Sequence, residues 1–250
     1  MHLPSMAFDF PHVAQHNRRM LYLHEIIDIV GTGQAAYLAT VGERARHSER
    51  EGLSRLMGTW KVIGSTGRWP GVVNLWEMDG WEQWAQALER QFLPDKVDPH
   101  LAPWWAKATE WRSGGFDRIL EPTSYSPTRA ALCDRGLKAW VCVHTLSRLR
   151  PGTRDDYLGA VGDTLKPALE ARGLTLLGAY SAAMRSDEAL VIWAAPDFRS
   201  LCRVYDRRQS DSELTEWSAR VRMWRRTAST TWLVPSADCF FCPASRAANS

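Results

Sequence analysis

The chain has 250 residues, of which 45% are hydrophobic and 24% charged, and these values exclude collagen-like, low-complexity and largely disordered proteins. A formal net charge of +3 at pH 7 is too small to indicate the concentrated basic face of a nucleic-acid-binding protein. The 13 tryptophans exceed what a core of this size needs, although composition alone does not assign them to a reaction.

The start of the chain shows no secretory pattern. Residues 1–20 contain Asp9, Arg18 and Arg19 and lack a charged segment followed by an apolar run. No stretch approaches the roughly 18 apolar residues of a membrane helix. We therefore expect a cytoplasmic protein that binds neither membranes nor nucleic acid.

Cys239 and Cys242 form a CxxC pair in a Ser/Ala/Pro-rich segment near the end of the chain. A zinc ribbon needs a second such pair, and a redox motif needs a helix start after a strand. The five cysteines also do not form an even disulfide framework. We expect no metal here and interpret the segment as a frayed tail with incidental thiols, with metal or redox chemistry as the alternative.

The chain contains an internal repeat at a shift of about 120 residues. Four segments of the first half reappear in the second half in the same order. The matched pairs are 23–24 with 143–144, 37–42 with 157–162, 56–60 with 176–180 and, after a three-residue slip, 73–76 with 190–193. Their shared order indicates a duplication.

Hydrophobic periodicity predicts the same elements in each half. For the first half we predict a strand at 21–29, a helix at 37–53, strands at 56–64 and 72–78, a helix from about 80, a helix around 105–111 and a strand at 116–120. For the second half we predict a strand at 140–146, a helix at 155–171, strands at 174–183 and 189–195, a helix from about 196, a helix around 217–225 and a strand at 229–234. Each half is a β-α-β-β-α-β ferredoxin-like unit with one additional helix.

A single sheet of this kind leaves one face bare, and two tandem copies can bury those faces against each other. The predicted fold class is therefore α+β, with two tandem ferredoxin-like units packed sheet to sheet around a barrel-like space. The expected divisions are an N-terminal extension at 1–19, a first unit at 20–120, a linker at 121–137, a second unit at 138–235 and a tail at 236–250.

Several short aromatic motifs resemble those of the NIPSNAP family. They are LHEI at 23–26, Gly-Thr-Trp at 58–60, VVNLW at 72–76 and the Trp81 to Trp84 helix start. The resemblance covers 20–120 well and 138–235 weakly, and it implies the dimeric α+β barrel group. That group includes cofactor-free monooxygenases, lactone isomerases, polyketide cyclases, and haem-binding lyases and dismutases. The family motif carries no single activity, so it transfers no catalytic residue.

His24 and His144 occupy equivalent strand positions and are our first catalytic candidates. A histidine can transfer a proton near neutral pH or serve as an axial haem ligand. Strand alternation places Tyr22 and His24 on one face and Leu23 and Glu25 on the other. The apolar face suits helix packing, so His24 should face the cavity, although Glu25 fits its face poorly. The alternative is that both histidines are ordinary buried sheet residues.

Glu77 and Asp79 end the third strand of the first half, where the second half has Ala194 and Pro196. This asymmetry predicts a polar rim in one half only, which could supply an acid or a base, and Glu77 is our third catalytic candidate. Asp79 precedes a helix and is expected to be its N-cap.

Aromatic residues on the predicted strands suggest the walls of a small-molecule cavity, although large rings are also good core. Asn74 would be a polar group in that cavity, and the Pro-rich insert at 93–105 is either a lid or a rigid surface turn. The candidate substrate-binding residues are Tyr22, Trp60, Asn74, Trp76, Trp105, Trp140 and Trp193.

Three functions stay open from the sequence. We favour an enzyme without metal or organic cofactor that acts on a small, largely apolar or aromatic metabolite between the sheets. Its reaction would be proton transfer, as in isomerisation, cyclisation or elimination, or cofactor-free oxygenation. The alternatives are a non-catalytic NIPSNAP-like binding or interaction module and a haem-binding lyase or dismutase-type protein with His24 or His144 as ligand. Exposed sheet edges would also favour a homodimer.

Overall fold

The computed structural model describes residues 20–207 and 209–243. The first half contains β1 (Leu21–Ile29), α1 (Gln34–Arg50), β2 (Arg55–Val62), β3 (Gly71–Met78), α2 (Trp81–Phe92), α3 (Leu101–Thr109) and β4 (Arg112–Pro122), and α4 (Arg129–Asp134) follows it. The second half contains β5 (Val141–Leu149), α5 (Arg154–Ala160), a π-helical turn (Val161–Leu165), α6 (Lys166–Glu170), β6 (Thr175–Ala182), β7 (Glu188–Ala195), α7 (Phe198–Arg207), α8 (Ser212–Arg220), a 3-10 turn (Val221–Met223) and β8 (Arg225–Pro235).

The eight strands form one closed antiparallel barrel in the order β1-β3-β2-β8-β5-β7-β6-β4. Each half contributes an equivalent four-stranded sheet, β4-β1-β3-β2 and β8-β5-β7-β6. The two sheets are joined where β2 pairs with β8 and β4 pairs with β6. The predicted fold class of two ferredoxin-like units packed sheet to sheet is confirmed. Because these eight strands leave no free edge, edge pairing no longer supports the homodimer, which stays a prediction.

Strand alternation gives each sheet an inner and an outer face. The inner faces of both sheets meet in one apolar cluster that contains Tyr22 and Leu75 from the first half and Tyr180 and Ile192 from the second. The outer face of the first sheet packs against α1 and α3, and the outer face of the second sheet packs against its own helices. The molecule therefore has one core inside the barrel and one beneath each set of helices.

Glycines explain the repeated motif at 56–60 and 176–180. The ring of Trp60 folds back over Gly58, and the ring of Tyr180 folds back over Gly178, so that a Cβ at either glycine would overlap the ring. Both rings are fully buried inside the barrel. A β-bulge lies beside each glycine and re-aims the strand at that point. In both halves, the glycine of the motif thus leaves space for the aromatic ring that fills the barrel interior.

We predict that Gly58→Ala destabilises the protein by about 1–3 kcal/mol, because the added methyl group overpacks a buried site that Trp60 already fills. Gly159→Ala is the matched control, since Gly159 is helical and a methyl group added there would meet no atom within 4 Å. The free energy of unfolding in urea measures both effects. A loss for Gly58→Ala that is no larger than that for Gly159→Ala would contradict this packing.

The tail is not frayed where the structure describes it, so that prediction was wrong for residues up to 243. Cys239, Phe241 and Cys242 are buried in the barrel core. Cys239 Sγ donates a hydrogen bond to the Thr59 carbonyl oxygen at 2.9 Å, and the Ala139 amide donates to the Phe241 carbonyl oxygen at 3.0 Å. The sequence analysis gave more weight to the Ser, Ala and Pro residues around 239–242 than to the apolar residues within it.

The structure covers only part of the other segments into which we divided the chain from its sequence. The predicted extension at 1–19 and residues 244–250 lie outside the described residues. The predicted linker at 121–137 contains α4. Within 20–207 and 209–243, no helix combines the length and apolar character needed to cross a bilayer.

Candidate functional site

His24 on β1 and His144 on β5 meet at the centre of the barrel. Their Nε2 atoms are 2.9 Å apart, and both side chains are buried. In a neutral pair, one ring donates this hydrogen bond and the other accepts it. Burial, with a smaller contribution from nearby Arg118, lowers the pKa of both rings, that of His144 to about 4. The pair is therefore uncharged at neutral pH and joins the two sheets.

We predict that acid destabilises the protein through this pair. An unfolded histidine binds a proton near pH 6.5, whereas folded His144 does so only near pH 4. The unfolded state thus binds more protons between these values, so the free energy of unfolding falls as pH falls from about 6.5 toward 4. Urea unfolding across this range measures the slope. The double variant His24→Gln/His144→Gln should show a shallower slope, and an unchanged slope would contradict the assignment.

A haem bound through His24 or His144 does not fit this arrangement. Each Nε2 atom is engaged with the other ring. Fully buried side chains, including Tyr22, Trp60 and Tyr180, occupy the same interior. His24 Nδ1 has no hydrogen-bond partner among the described residues, but neither histidine lines a described cavity, so the pair has no adjoining space for a porphyrin.

Glu77 is buried inside the barrel near one end and is held by three donors. Tyr22 Oη donates to Oε2 at 2.8 Å, Arg55 Nε donates to Oε1 at 3.1 Å and the Arg129 amide donates to Oε2 at 2.8 Å. These contacts connect β1, β2 and α4, so the carboxylate stabilises the packing of these elements. Asp79 is not the N-cap of α2, a position that Gly80 takes, because Arg55 binds the Asp79 carboxylate.

The expected cavity between the sheets is filled, which corrects the predicted location of the site. The aromatic side chains that were expected to line it, such as Tyr22 and Trp60, are fully buried in one apolar cluster there. Cavities lie instead between each sheet and its covering helices. We call them the first-half cavity, of about 120 Å³, and the second-half cavity, of about 480 Å³.

The structure separates the predicted binding residues into four places. Asn74, Trp76 and Trp105 line the first-half cavity. Trp193 lines the second-half cavity. Tyr22 and Trp60 lie inside the barrel, and Trp140, which precedes β5, is 44% exposed. Of the sequence candidates, only the first group therefore shares a cavity.

A polar row crosses the outer face of the first sheet beneath the helices. Thr59 pairs with Asn74, Asn74 with Glu25 and Glu25 with Asp117 on four neighbouring strands. Thr59 Oγ1 donates to Asn74 Oδ1 at 2.6 Å, which orients the amide so that its Nδ2 donates to Glu25 Oε2 at 3.0 Å. Trp76 Nε1 donates to the same Glu25 oxygen at 2.8 Å.

Glu25 is therefore a buried carboxylate with one oxygen bound and one oxygen available. Its side chain lines the first-half cavity, and no hydrogen bond from the described residues reaches Oε1. Burial raises the pKa of Glu25, and the Asp117 carboxylate on β4 raises it further, whereas the bonds from Trp76 and Asn74 lower it. A carboxylate with a raised pKa is a stronger base than an ordinary glutamate.

Unpartnered polar atoms also line the first-half cavity. Tyr37 Oη, Arg44 Nη1 and Trp105 Nε1 are buried there and have no hydrogen-bond partner among residues 20–207 and 209–243. Arg44 Nη1 lies 3.6 Å from Asp98 Oδ2, which is an ion pair but too long for a hydrogen bond. An unsatisfied buried group costs about 1–3 kcal/mol unless a water or a ligand completes it, so these atoms make the first-half cavity a candidate binding site.

Sequence reasoning did not identify Glu25 as a site residue. The signal was present, because an acidic residue stood on the face that otherwise suits helix packing. Tyr37 also gave a signal, since it begins the repeated segment at 37–42. What the sequence lacked was the register that places Glu25 beside Asn74 and Asp117.

No protein-family model and no curated protein matches the chain. The structure is similar to that of a candidate monooxygenase from Lactobacillus acidophilus NCFM, with a TM-score of 0.60, 10% identity, and coverage of 87% of this chain and 94% of that one. It is also similar to an anthrone oxidase-like protein, with a TM-score of 0.60, 12% identity, and coverage of 87% and 92%. These similarities show the shared fold.

The structural neighbours also include NIPSNAP-family proteins, each of which matches only part of this chain. A NIPSNAP-like domain protein from Burkholderia xenovorans has 25% identity and a TM-score of 0.36, and the match covers 44% of this chain and 91% of that one. The resemblance predicted from the aromatic motifs is confirmed at this level of partial coverage.

Proposed function

We propose that the protein is a cofactor-independent enzyme that transfers a proton on a small aromatic carbonyl compound, with Glu25 as the general base. The observation that carries this proposal is the first-half cavity itself. It combines a buried carboxylate that has one available oxygen with three buried polar atoms that lack partners. A base facing hydrogen-bond donors is the arrangement that enolisation requires.

The proposed step begins when Glu25 Oε1 takes a proton from the carbon next to the substrate carbonyl group. The electron pair of that C–H bond forms a C=C bond, and the carbonyl π electrons move to oxygen to give an enolate. Tyr37 Oη and Trp105 Nε1 donate hydrogen bonds to this oxygen, where the negative charge develops. Glu25 then returns its proton to the oxygen or to another carbon, which completes an isomerisation.

The size and walls of the first-half cavity favour a substrate with one aromatic ring. Its volume of about 120 Å³ is below the roughly 150 Å³ of an apolar cavity that holds benzene, so it takes one ring at most and the polar chain of a substrate would lie at its open side. Trp76, Trp84 and Trp104 supply aromatic walls. Arg44 and Arg90 line the same cavity, and a substrate carboxylate would share the Arg44 guanidinium with Asp98.

Phenylpyruvate is a suitable probe because it joins one ring, an acidic C–H bond and a carboxylate. We expect the protein to accelerate its keto–enol interconversion above the buffer rate, measured by ultraviolet absorbance, without consuming oxygen. Oxygen consumption would instead favour cofactor-free oxygenation, which can start from the same enolate. Saturable binding without turnover would favour a binding module, and neither binding nor turnover would overturn the proposal.

A further inference from the structure

We propose that the second-half cavity is a separate binding site for an aromatic anion of two or three rings, such as a polycyclic carboxylate. This inference goes beyond the proton-transfer function and does not depend on it. It is carried by the volume of the cavity, by the charge of its lining and by the residues that replace the polar row of the first half.

The volume and walls of the second-half cavity indicate a ligand larger than the one proposed for the first half. At about 480 Å³ it lies within the roughly 300–1,000 Å³ range of drug-sized ligand sites. Its aromatic lining residues are Tyr157, Trp193, Tyr205 and Trp217. Such rings provide flat surfaces on which a planar, multi-ring molecule can stack.

The charge of this lining is positive. Arg222, Arg225 and Arg226 line the cavity, and its lining residues include no aspartate or glutamate. Within the described part of the chain, none of the three forms an ion pair with a carboxylate. Arg225 Nη2 donates to Tyr157 Oη at 3.0 Å, while no described residue is a hydrogen-bond partner of its buried Nε. The guanidinium is thus oriented and retains a free donor for an anion.

The two halves differ at the positions that would carry chemistry. The row of the first sheet, Thr59–Asn74–Glu25–Asp117, corresponds by strand register to Ala179–Val191–Thr145–Thr230 in the second sheet. Thr145 therefore occupies the position of Glu25, and its hydroxyl lies 3.2 Å from that of Thr230. A row without a carboxylate lacks the general base proposed for the first half, so the two cavities differ in chemistry.

Anthracene-9-carboxylate and its neutral analogue anthracene-9-methanol are matched probes for this site. Quenching of the tryptophan fluorescence of the full-length protein measures their binding, since Trp193 and Trp217 line this cavity. We expect the anion to bind saturably and about tenfold or more tightly than the neutral analogue, because only the anion pairs with the arginines. Equal affinities of the two probes, or no saturable binding of the anion, would overturn the proposal.

Variants locate the binding to this cavity. Arg225→Met should weaken the anion about tenfold or more and leave the neutral analogue unchanged. Arg222→Gln alters an exposed lining residue and should weaken the anion without affecting folding, so it keeps the test decisive if Arg225→Met does not fold. Arg112→Met is the matched control, since Arg112 occupies the position of Arg225 in the first half. A larger effect of Arg112→Met than of both other variants would overturn the assignment.

Discussion

Replacing Glu25 with glutamine is expected to lower kcat/KM for phenylpyruvate by about 10²–10⁴-fold, the usual contribution of a positioned general base. The glutamine oxygen can still accept the hydrogen bonds that Asn74 and Trp76 give to Glu25. It cannot accept the substrate proton. The loss should therefore fall on kcat, with phenylpyruvate binding retained and the unfolding transition little changed, as steady-state kinetics and urea unfolding can show.

The variant Glu77→Gln tests which of two buried carboxylates, Glu25 or Glu77, is the general base. Glu77 is held inside the barrel by Tyr22, Arg55 and the Arg129 amide and lines neither cavity. This variant should lose stability and retain most of its kcat. If Glu77→Gln abolished turnover in a folded protein and Glu25→Gln did not, the sequence-based choice of Glu77 would be right and the assignment of Glu25 wrong.

Replacing Phe241 with alanine is expected to destabilise the protein by about 3–5 kcal/mol, as for other large aromatic side chains removed from a core. Phe241 is fully buried, and its ring centroid lies 6.0 Å from that of Trp60. The loss thus combines the missing apolar contact with a cavity inside the barrel. Urea unfolding monitored by tryptophan fluorescence measures it.

Phe240→Ala is the matched control for this prediction. Phe240 is adjacent in sequence but only half-buried, and it contacts the Arg129 guanidinium at 5.5 Å from its ring centroid. Its removal should cost clearly less than that of Phe241. Equal losses for the two variants would show that the tail covers the barrel surface rather than filling its core.

Much of the fold was accessible from the sequence because the duplication and the strand alternation act locally. The predicted bounds of β1 at 21–29 match the structure, since six of its nine residues are apolar or aromatic. The repeated Leu-x-Gly-x-aromatic motif was also visible, although only the structure shows that each glycine makes room for the ring two residues later. Inward orientation of His24 followed from alternation as well.

The location of the candidate site could not be predicted from the sequence. Alternation distinguishes two faces of a strand, but it does not show which face encloses empty space. Trp60 and Tyr180 fill the inner face of the barrel, so the free volume lies on the outer face beneath the helices. Glu25 therefore belonged to the face that had been assigned to helix packing. The burial of Phe241 likewise depends on a barrel that forms far away in sequence.

The pH dependence of kcat/KM for phenylpyruvate tests the role of Glu25 most directly. The base must be ionised, so activity should rise with pH through the pKa of Glu25. Because burial and Asp117 raise that pKa above its ordinary 4.5, the midpoint of the rise should lie above this value. Asp117→Asn should move the midpoint down by removing one of the two causes. A midpoint at or below 4.5 in the unmodified protein, or a rise that persists unchanged in Glu25→Gln, would contradict the account.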